Sequence, residues 1–350
     1  MTSTTTAPKT PVPALAGATS TGRLDALLRA REIGIALAIV VVIAITTLKN
    51  SHFLDADSVQ QILNGGALIG LMAVGETLVI VTRNVDLSIG STLGLSAYVV
   101  GDLFAHNAID VWMGFVVAIV IGAVIGLING LVTVLFRVPS LVVTLAMLYV
   151  IRGVDGIIVN GRQIGASDVP GSFTAIGYKT VLGIPWLFIL VAVVVIIAGY
   201  AMRTFRSSRE LYAIGSSPQA AMLAGIPAAR RVMTAFVISG ALAGLAGALF
   251  LAQYAQVNNN SGLGYELTVI AAVVVGGVAI FGGSGTVFGA ALGALLLNTI
   301  NLALVAARIS ASWNQAIAGA LLLAAIAFDR WLSLRVTRKL RNTEGAHRDI

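Results

Sequence analysis

Residues able to do chemistry are few in this sequence, and most sit among apolar neighbours. Glu76 lies inside the run LMAVGETLVIV, with Arg83, Asp86 and Ser88 just beyond it, and amides recur at Asn129, Asn298 and Asn301. A carboxylate in a lipid-crossing segment costs about 2.5–3.5 kcal/mol on insertion scales, so Glu76 calls for a reason. Either it faces a helix-bundle interior beside a polar partner, or it makes a structural hydrogen bond to a neighbouring helix. Arg83 and Asp86 flank the end of that run and are placed to pair with each other. The three amides either line a polar path or bond one helix to another. Glu76, Asp86, Ser88, Asn129, Asn298 and Asn301 are therefore the candidate pathway residues, and Asn258, Asn259 and Asn260 add a polar run in a loop.

Enzymatic constellations are missing. The apolar runs hold no Ser/His pair, no metal-ligand cluster and no paired carboxylates. The three histidines (His52, His106 and His347) fall in loops or the tail. With no cysteine, neither a disulfide nor a thiolate metal site can form. No GxxxxGK[ST] phosphate loop occurs, and GGSGTVFG (282–289) lacks the Lys that would reach phosphates. The chain is expected to have no catalytic residues, no metal and no cofactor of its own.

The elements that position these residues must be membrane helices. Of 350 residues, 57% are hydrophobic and only 11% charged, against roughly 25% charged in typical soluble domains. Mean hydropathy is +0.94. Because about 20 apolar residues cross a bilayer core, the predicted spans are 33–48, 62–82, 87–105, 112–136, 139–158, 181–202, 231–254, 265–281, 286–307 and 311–329. The run 87–105 is rich in small residues and reads as either a full span or a broken, re-entrant one. Glycine pairs and triplets within the spans, as in GLINGLVT (126–133) and SGALAGLAGALF (239–250), predict close backbone packing between helices.

The net charge of +7 does not point to nucleic acid, because the charges sit between spans and at the tails. With both termini in the cytoplasm, all but five of the 22 Lys and Arg residues fall inside, and the exceptions are Lys49, Arg152, Arg162, Lys179 and Arg308. Residues 1–32 read as a disordered basic cytoplasmic tail, 33–329 as the transmembrane domain and 330–350 as a second basic tail against anionic lipid. Glu266 opens a span, where a helix N-terminus favours a carboxylate.

The segment 203–231 carries five basic residues and contains GSSPQAAMLAGIP (215–227). Ser217 suits an N-cap and Pro218 the first helical position. Gly225 suits a left-handed stop, and Pro227 prevents continuation. A helix of about two turns is marginal alone in water, so something must hold it. It is either an ordinary surface connector or the docking element for a partner.

Here the sequence resembles a known family. Glu-Leu-Tyr-Ala-Ile-Gly (210–215) followed by Pro-x-Ala-Ala-x-x-x-Gly-Ile (218–226) is similar to the coupling loop of ABC-importer permeases for ribose-type sugars. VDLSIGS (85–91), GLINGLVTVLFRVPSLVVTLAML (126–148) and GYELTVIAAVVVGGVAIFGGSGTVFGAALGALLLNTIN (264–301) resemble the family's other blocks in order, from about Ile62 to Ala327. Thr82, Arg83 and Asn84 resemble permeases for rhamnose or furanosyl signalling molecules. The resemblance implies an all-α polytopic protein of the bacterial cytoplasmic membrane. It also implies a separate ATPase subunit that carries ATP and Mg, an extracytoplasmic sugar-binding protein, and a second permease copy or paralogue. Membrane lipid surrounds the assembly. The implied coupling residues are Arg209, Glu210, Ser217, Pro218, Gln219, Ala220, Ala221, Leu223, Ala224 and Gly225, with Arg209 and Glu210 orienting the helix through charge pairs. The outer loop 159–180 is either a docking surface for the binding protein or passive. Competing readings are a branched-chain amino acid permease and a self-sufficient secondary transporter, for which a lone Glu76 is thin support. An intramembrane enzyme would need constellations the spans lack.

Overall fold

The computed structural model of the chain describes residues 20–310, 313 and 315–327. The described residues are mostly helical. The helices are α1 (Ser20–Lys49), α2 (Ala56–Val81), α3 (Ile89–Ala105), α4 (Val111–Leu135), α5 (Ser140–Val159), α6 (Gly171–Tyr178), α7 (Trp186–Thr204), α8 (Arg206–Ser216), α9 (Pro218–Leu223), α10 (Ala228–Tyr254), α11 (Tyr265–Val275) and α12 (Val287–Ala306). Gln315–Ala327 forms α13. Every predicted span has its helix, and seven are long and apolar enough to cross a membrane. Helix α1 begins at Ser20, so the tail boundary predicted at residue 32 falls inside a helix. Residues 1–19 of the first predicted tail and the whole of the second, 330–350, lie outside the described residues.

Helix α2 is the axis of the bundle. Its run of small residues (Gly65, Gly66, Ala67, Gly70, Ala73 and Gly75) lets neighbours approach on every side, and its apolar window is wholly buried. Helices α10, α12 and α7 pack around it. By contrast, α1, α4, α5 and α7 turn apolar faces outward, for example Trp112, Val116, Val120 and Val124 on α4. That is the polarity expected when the outer solvent is hydrocarbon.

The α4–α10 seam shows what the glycines do. A Cβ on Gly122 would collide with the carbonyl oxygen of Gly240, and one on Gly240 with that of Gly122. Gly126 meets the Phe236 carbonyl and Gly244 the Ala118 carbonyl in the same way. The two backbones touch with no side chain between them, as small-residue motifs allow.

Two of the spans are short: α3 with 17 residues and α11 with 11. For α11 the cause is a re-entrant loop. One end of the molecule carries α8 and α9, called here the near end; the far end carries α6 and a small hairpin of Thr180–Val181 and Ile184–Pro185, which takes residues expected to begin α7. At the far end Ile164 and Val257 form an antiparallel bridge beside Gly101 of α3. The chain then descends along α3 until Gly262 meets the Gly90 carbonyl. That is a drop of about 16 Å at 1.5 Å per residue. Helix α11 thus starts part-way through the bundle and stops at Gly276 and Gly277 (φ 104°), not at residue 281 as expected.

Replacing Gly240 with Ala should destabilise the folded protein by about 1–3 kcal/mol through forced backbone separation. Gly153→Ala on α5, where nothing lies within 4 Å of the new atom, should be neutral. Thermal unfolding in detergent distinguishes the two.

Candidate functional site

The predicted loop helix forms as its sequence dictates. Ser217 accepts at its Oγ from the Ala220 N–H at 3.3 Å, and Pro218 opens α9. At the other end Gly225 takes φ 72°, with Ile226 N–H bonded to the Ala221 carbonyl (3.0 Å) and Gly225 N–H to that of Met222 (3.0 Å). This paired stop satisfies the helix's last carbonyls and fixes its length. Only Ala221 points inward, at 3% exposure, and it joins the main core cluster. Ala221 is therefore an anchor and not a docking surface. Pro218, Gln219, Ala220, Met222, Leu223, Ala224 and Gly225 face outward, with Met222 70% and Leu223 87% exposed.

Helix α8 holds α9 in place. Leu211 and Ile214 bury its apolar stripe. Glu210, 8% exposed, pairs with Arg231 (2.6 Å) and Arg206 (3.1 Å). Arg209 is exposed and is not one of the two pairing arginines. The hydrogen bond from Arg231, supported by Arg206, holds the Glu210 carboxyl below the ordinary glutamate range.

The end of α8 leads into the membrane part of the protein. A Cβ on Gly215 would collide with the Val81 carbonyl at the end of α2. Arg83 donates from Nε to the Gly215 carbonyl and from Nη2 to the Ser216 carbonyl at 2.9 Å. Arg83 and Asp86 do not pair, contrary to their spacing, because the left-handed turn at Arg83 (φ 66°) sends its side chain toward α8. From the 276–286 loop, Gly283 N–H bonds to the Val81 carbonyl (2.9 Å), and the Tyr212 hydroxyl donates to the Gly285 carbonyl (2.9 Å).

Beyond Arg83 the chain climbs back beside α2 and enters a buried polar cluster. Glu76 Oε1 accepts from the Asp86 N–H at 3.0 Å. Asp86 Oδ1 accepts from the Ser88 N–H (2.9 Å) and hydroxyl (2.6 Å). Asn129 donates from Nδ2 to Ser88 Oγ at 2.8 Å. Val85 is clamped between Ser140, which accepts from its N–H (3.1 Å), and Thr144, which donates to its carbonyl (3.2 Å). The structure thus brings together four of the six candidate pathway residues. Asn298 is elsewhere, donating to the Gln61 and Ile62 carbonyls at 3.2 and 2.9 Å and binding α12 to α2. Asn301 sits half-buried one turn further along α12.

The re-entrant loop adds residues whose importance was not apparent in the sequence. Arg152, assigned to the outer side by charge counting, lies within α5 and donates to the Ser261 carbonyl at 2.8 Å and to that of Asn259 at 3.3 Å. Asn258, Asn259 and Asn260 are exposed on this loop. Glu266 stands in the first turn of α11 and accepts from the Gly264 N–H at 3.2 Å, as its position predicted, though at the start of a half-length helix part-way through the bundle. The signal for Arg152 and Asp155 was present as charges inside span 139–158. Among the described residues no group of His, Cys, Asp and Glu could hold a metal ion.

Comparison with known proteins fits this architecture. Residues 58–326 match the family described as branched-chain amino acid transport system / permease component. The chain belongs to that permease family. It is 36% identical to the autoinducer 2 import system permease protein LsrC of Enterobacter sp. (strain 638), over 91% of this chain and 92% of the relative. The corresponding protein of Klebsiella pneumoniae subsp. pneumoniae is 35% identical with the same coverage. That of Escherichia coli (strain K12 / DH10B) is 32% identical over 90% of this chain and 92% of its own. No solved structure matches the chain significantly. The family resemblance read from the sequence therefore holds, and the permease is a multi-pass inner-membrane protein.

Two outcomes follow for the near end. Arg83→Gly keeps the left-handed turn but removes the guanidinium, so amide exchange should accelerate in α8 and α9 while α2 stays protected. Because the Glu210 carboxyl is lowered, its stabilisation is complete above about pH 4.3, the ordinary glutamate value, and is lost only as pH falls through the lowered one. Limited proteolysis of 203–231 should accelerate below that value in the wild type, whereas Glu210→Gln should be cleaved readily at every pH.

Proposed function

We propose that this chain is the membrane-spanning subunit of an ATP-driven importer of a sugar-like solute. The observation that carries the reading is α9: a capped helix, held from within by Ala221 alone, that presents Met222, Leu223 and Ala224 outward at one end of the bundle. An apolar face on a rigid, arginine-rich loop suits a groove on a separate motor protein. The sequence carries no nucleotide-binding loop of its own, so ATP and Mg belong to that partner. In this reading the near end is cytoplasmic, in keeping with the concentration of Arg83, Arg137, Arg203, Arg206, Arg209, Arg230 and Arg231 there.

The substrate class is supported by the relatives, whose names describe autoinducer 2 import. A ribose- or rhamnose-like cargo is the finer form of the same proposal. The polar cluster of Glu76, Asp86, Ser88 and Asn129, with the loop 258–264, borders the path. A binding protein docks at the far end, where Phe173 of α6 is locked between Phe104 and Phe115 at 4.8 and 5.0 Å and holds the outer segment still. The outward faces of α1, α4, α5 and α7 leave room for a second permease copy among lipids.

Leu223→Asp and Gly225→Pro should each lower uptake at least about tenfold, the equivalent of losing a small docking contact, with unchanged membrane levels. Near-normal uptake in both would remove the docking assignment. Ala221→Trp would overpack the chain's own core and so does not test docking. A single cysteine placed at Gln219, in a sequence that has none, should react with an impermeant maleimide only after permeabilisation.

A further inference from the structure

Around the re-entrant loop lies a set of charged groups that the fold leaves unspent. Asp155 of α5 is 1% exposed, and neither carboxylate oxygen has a hydrogen-bond partner among the described residues. Arg152, one turn away, uses Nη1 on the loop carbonyls and leaves buried Nε and Nη2 without partners. Glu266 uses Oε1 on Gly264 and leaves Oε2 free, facing the bare backbone of Gly90, where a Cβ would strike it. Asp155 and Glu266 both lie within electrostatic reach of Arg152, yet neither closes an ion pair with it. The exposed amides of Asn258, Asn259 and Asn260 border this set, and Asn259 lies 3.9 Å from where a Gly156 side chain would begin.

Unpaired charges at membrane depth are costly, and buried polar atoms without partners cost about 1–3 kcal/mol each. Purely structural use would have joined Arg152 to Asp155 directly. Non-helical backbone at this depth persists only where it is buried in protein or lines a wet cavity, and the loop 258–262 combines buried Gly262 with exposed Asn258, Asn259 and Asn260.

We propose that Arg152, Asp155 and Glu266, together with the loop 258–262, form a hydrogen-bonding station for a hydroxyl-rich, uncharged solute part-way across the membrane. The proposal rests on the permease reading and names where within it the cargo is handled. Hydroxyl groups both donate and accept. They match three free carboxylate oxygens on one side and two free guanidinium nitrogens on the other. Two carboxylates against one guanidinium disfavour an anion, and they oppose the carboxylate of an amino acid. The contacts are few, as passage requires. Because Arg152 also clamps the loop, a solute that competes for the guanidinium would loosen the loop as it passes.

The test is uptake of radiolabelled D-ribose, autoinducer 2 and leucine by cells expressing the whole transporter. Asp155→Asn, Arg152→Gln and Glu266→Gln should each raise KM for the transported hydroxylated probe about tenfold, the loss of a hydrogen bond to a charged group. As a second readout, a lone cysteine at Asn259 should be labelled by a polar maleimide. The transported probe should slow that labelling, and Asp155→Asn should abolish the protection. If the wild type carries a hydroxylated probe but the three variants keep its KM and the labelling protection, the station is wrong while the permease reading stands. Transport of leucine alone, with protection by leucine, overturns the station and the sugar-like cargo together. Transport of none of the probes counts against the permease reading as well.

Discussion

In hydrocarbon every backbone N–H and carbonyl needs a partner inside the protein, and this fold is organised around the places where helices fail to supply one. The chain breaks helical geometry at 82–88, 255–264 and 276–286, and polar side chains stand at each break. Glu76 takes the Asp86 N–H, Ser140 and Thr144 hold Val85, and Arg152 holds the carbonyls of Asn259 and Ser261. Gly283 and Val81 bond to each other. Residues that look like chemical candidates in an apolar sequence are thus largely engaged in keeping irregular backbone inside a membrane. Glu76 is the clearest instance: one of its oxygens serves as the acceptor that a helical carbonyl would otherwise be.

The same breaks connect the exposed loop helix to the interior. Ala221 seats α9 in the core, Gly215 of α8 rests on the end of α2, and Arg83 grips the last carbonyls of α8. Asp86 and Ser88 follow within the same short stretch and lie against Asn129 of α4. A displacement of α9 would therefore reach the start of α3 through hydrogen bonds and backbone contact, without crossing a flexible linker. Contiguity of this kind permits coupling; the proposed importer mechanism asks for nothing more elaborate.

Much of this was legible in the sequence, and the reasons are physical. Long apolar runs have one solution in lipid, so helix positions followed from hydropathy, and α9 followed because Ser217, Pro218 and Gly225 each have a backbone reason to be there. What could not be read depends on depth. Residues 258–264 look like any polar outer loop until Gly262 is seen against Gly90. Glycines at 90, 94 and 262 make the descent possible, yet in sequence they resemble the packing glycines of other spans. A charge rule weighs residues by loop, so it places Arg152 among the outer charges and cannot register that it reaches sideways into the bundle. Arg83 and Asp86 appeared paired by spacing, whereas a single positive φ turns them apart. Asn298 looked like Asn129, and only its proximity to Gly65 separates helix-to-helix bonding from cluster membership.

The packing also divides the molecule into parts that can and cannot shift. Along the α4–α10 seam, backbone meets backbone at Gly122, Gly126, Gly240 and Gly244, so sliding either helix would drive carbonyls into Cα atoms. Close-packed interfaces of that type are stiff. The broken segments are different, since 82–88 and 255–264 are each held by a few hydrogen bonds from side chains on α2, α4 and α5. Exchanging those bonds for others, with water or with a hydroxylated solute, costs far less than separating the seam. Helices α3 and α11 are tied into stiff packing as well, since Gly247 of α10 meets the Leu93 carbonyl and Gly293 of α12 meets the Ala272 carbonyl, so movement is least opposed in the leading loop 82–88.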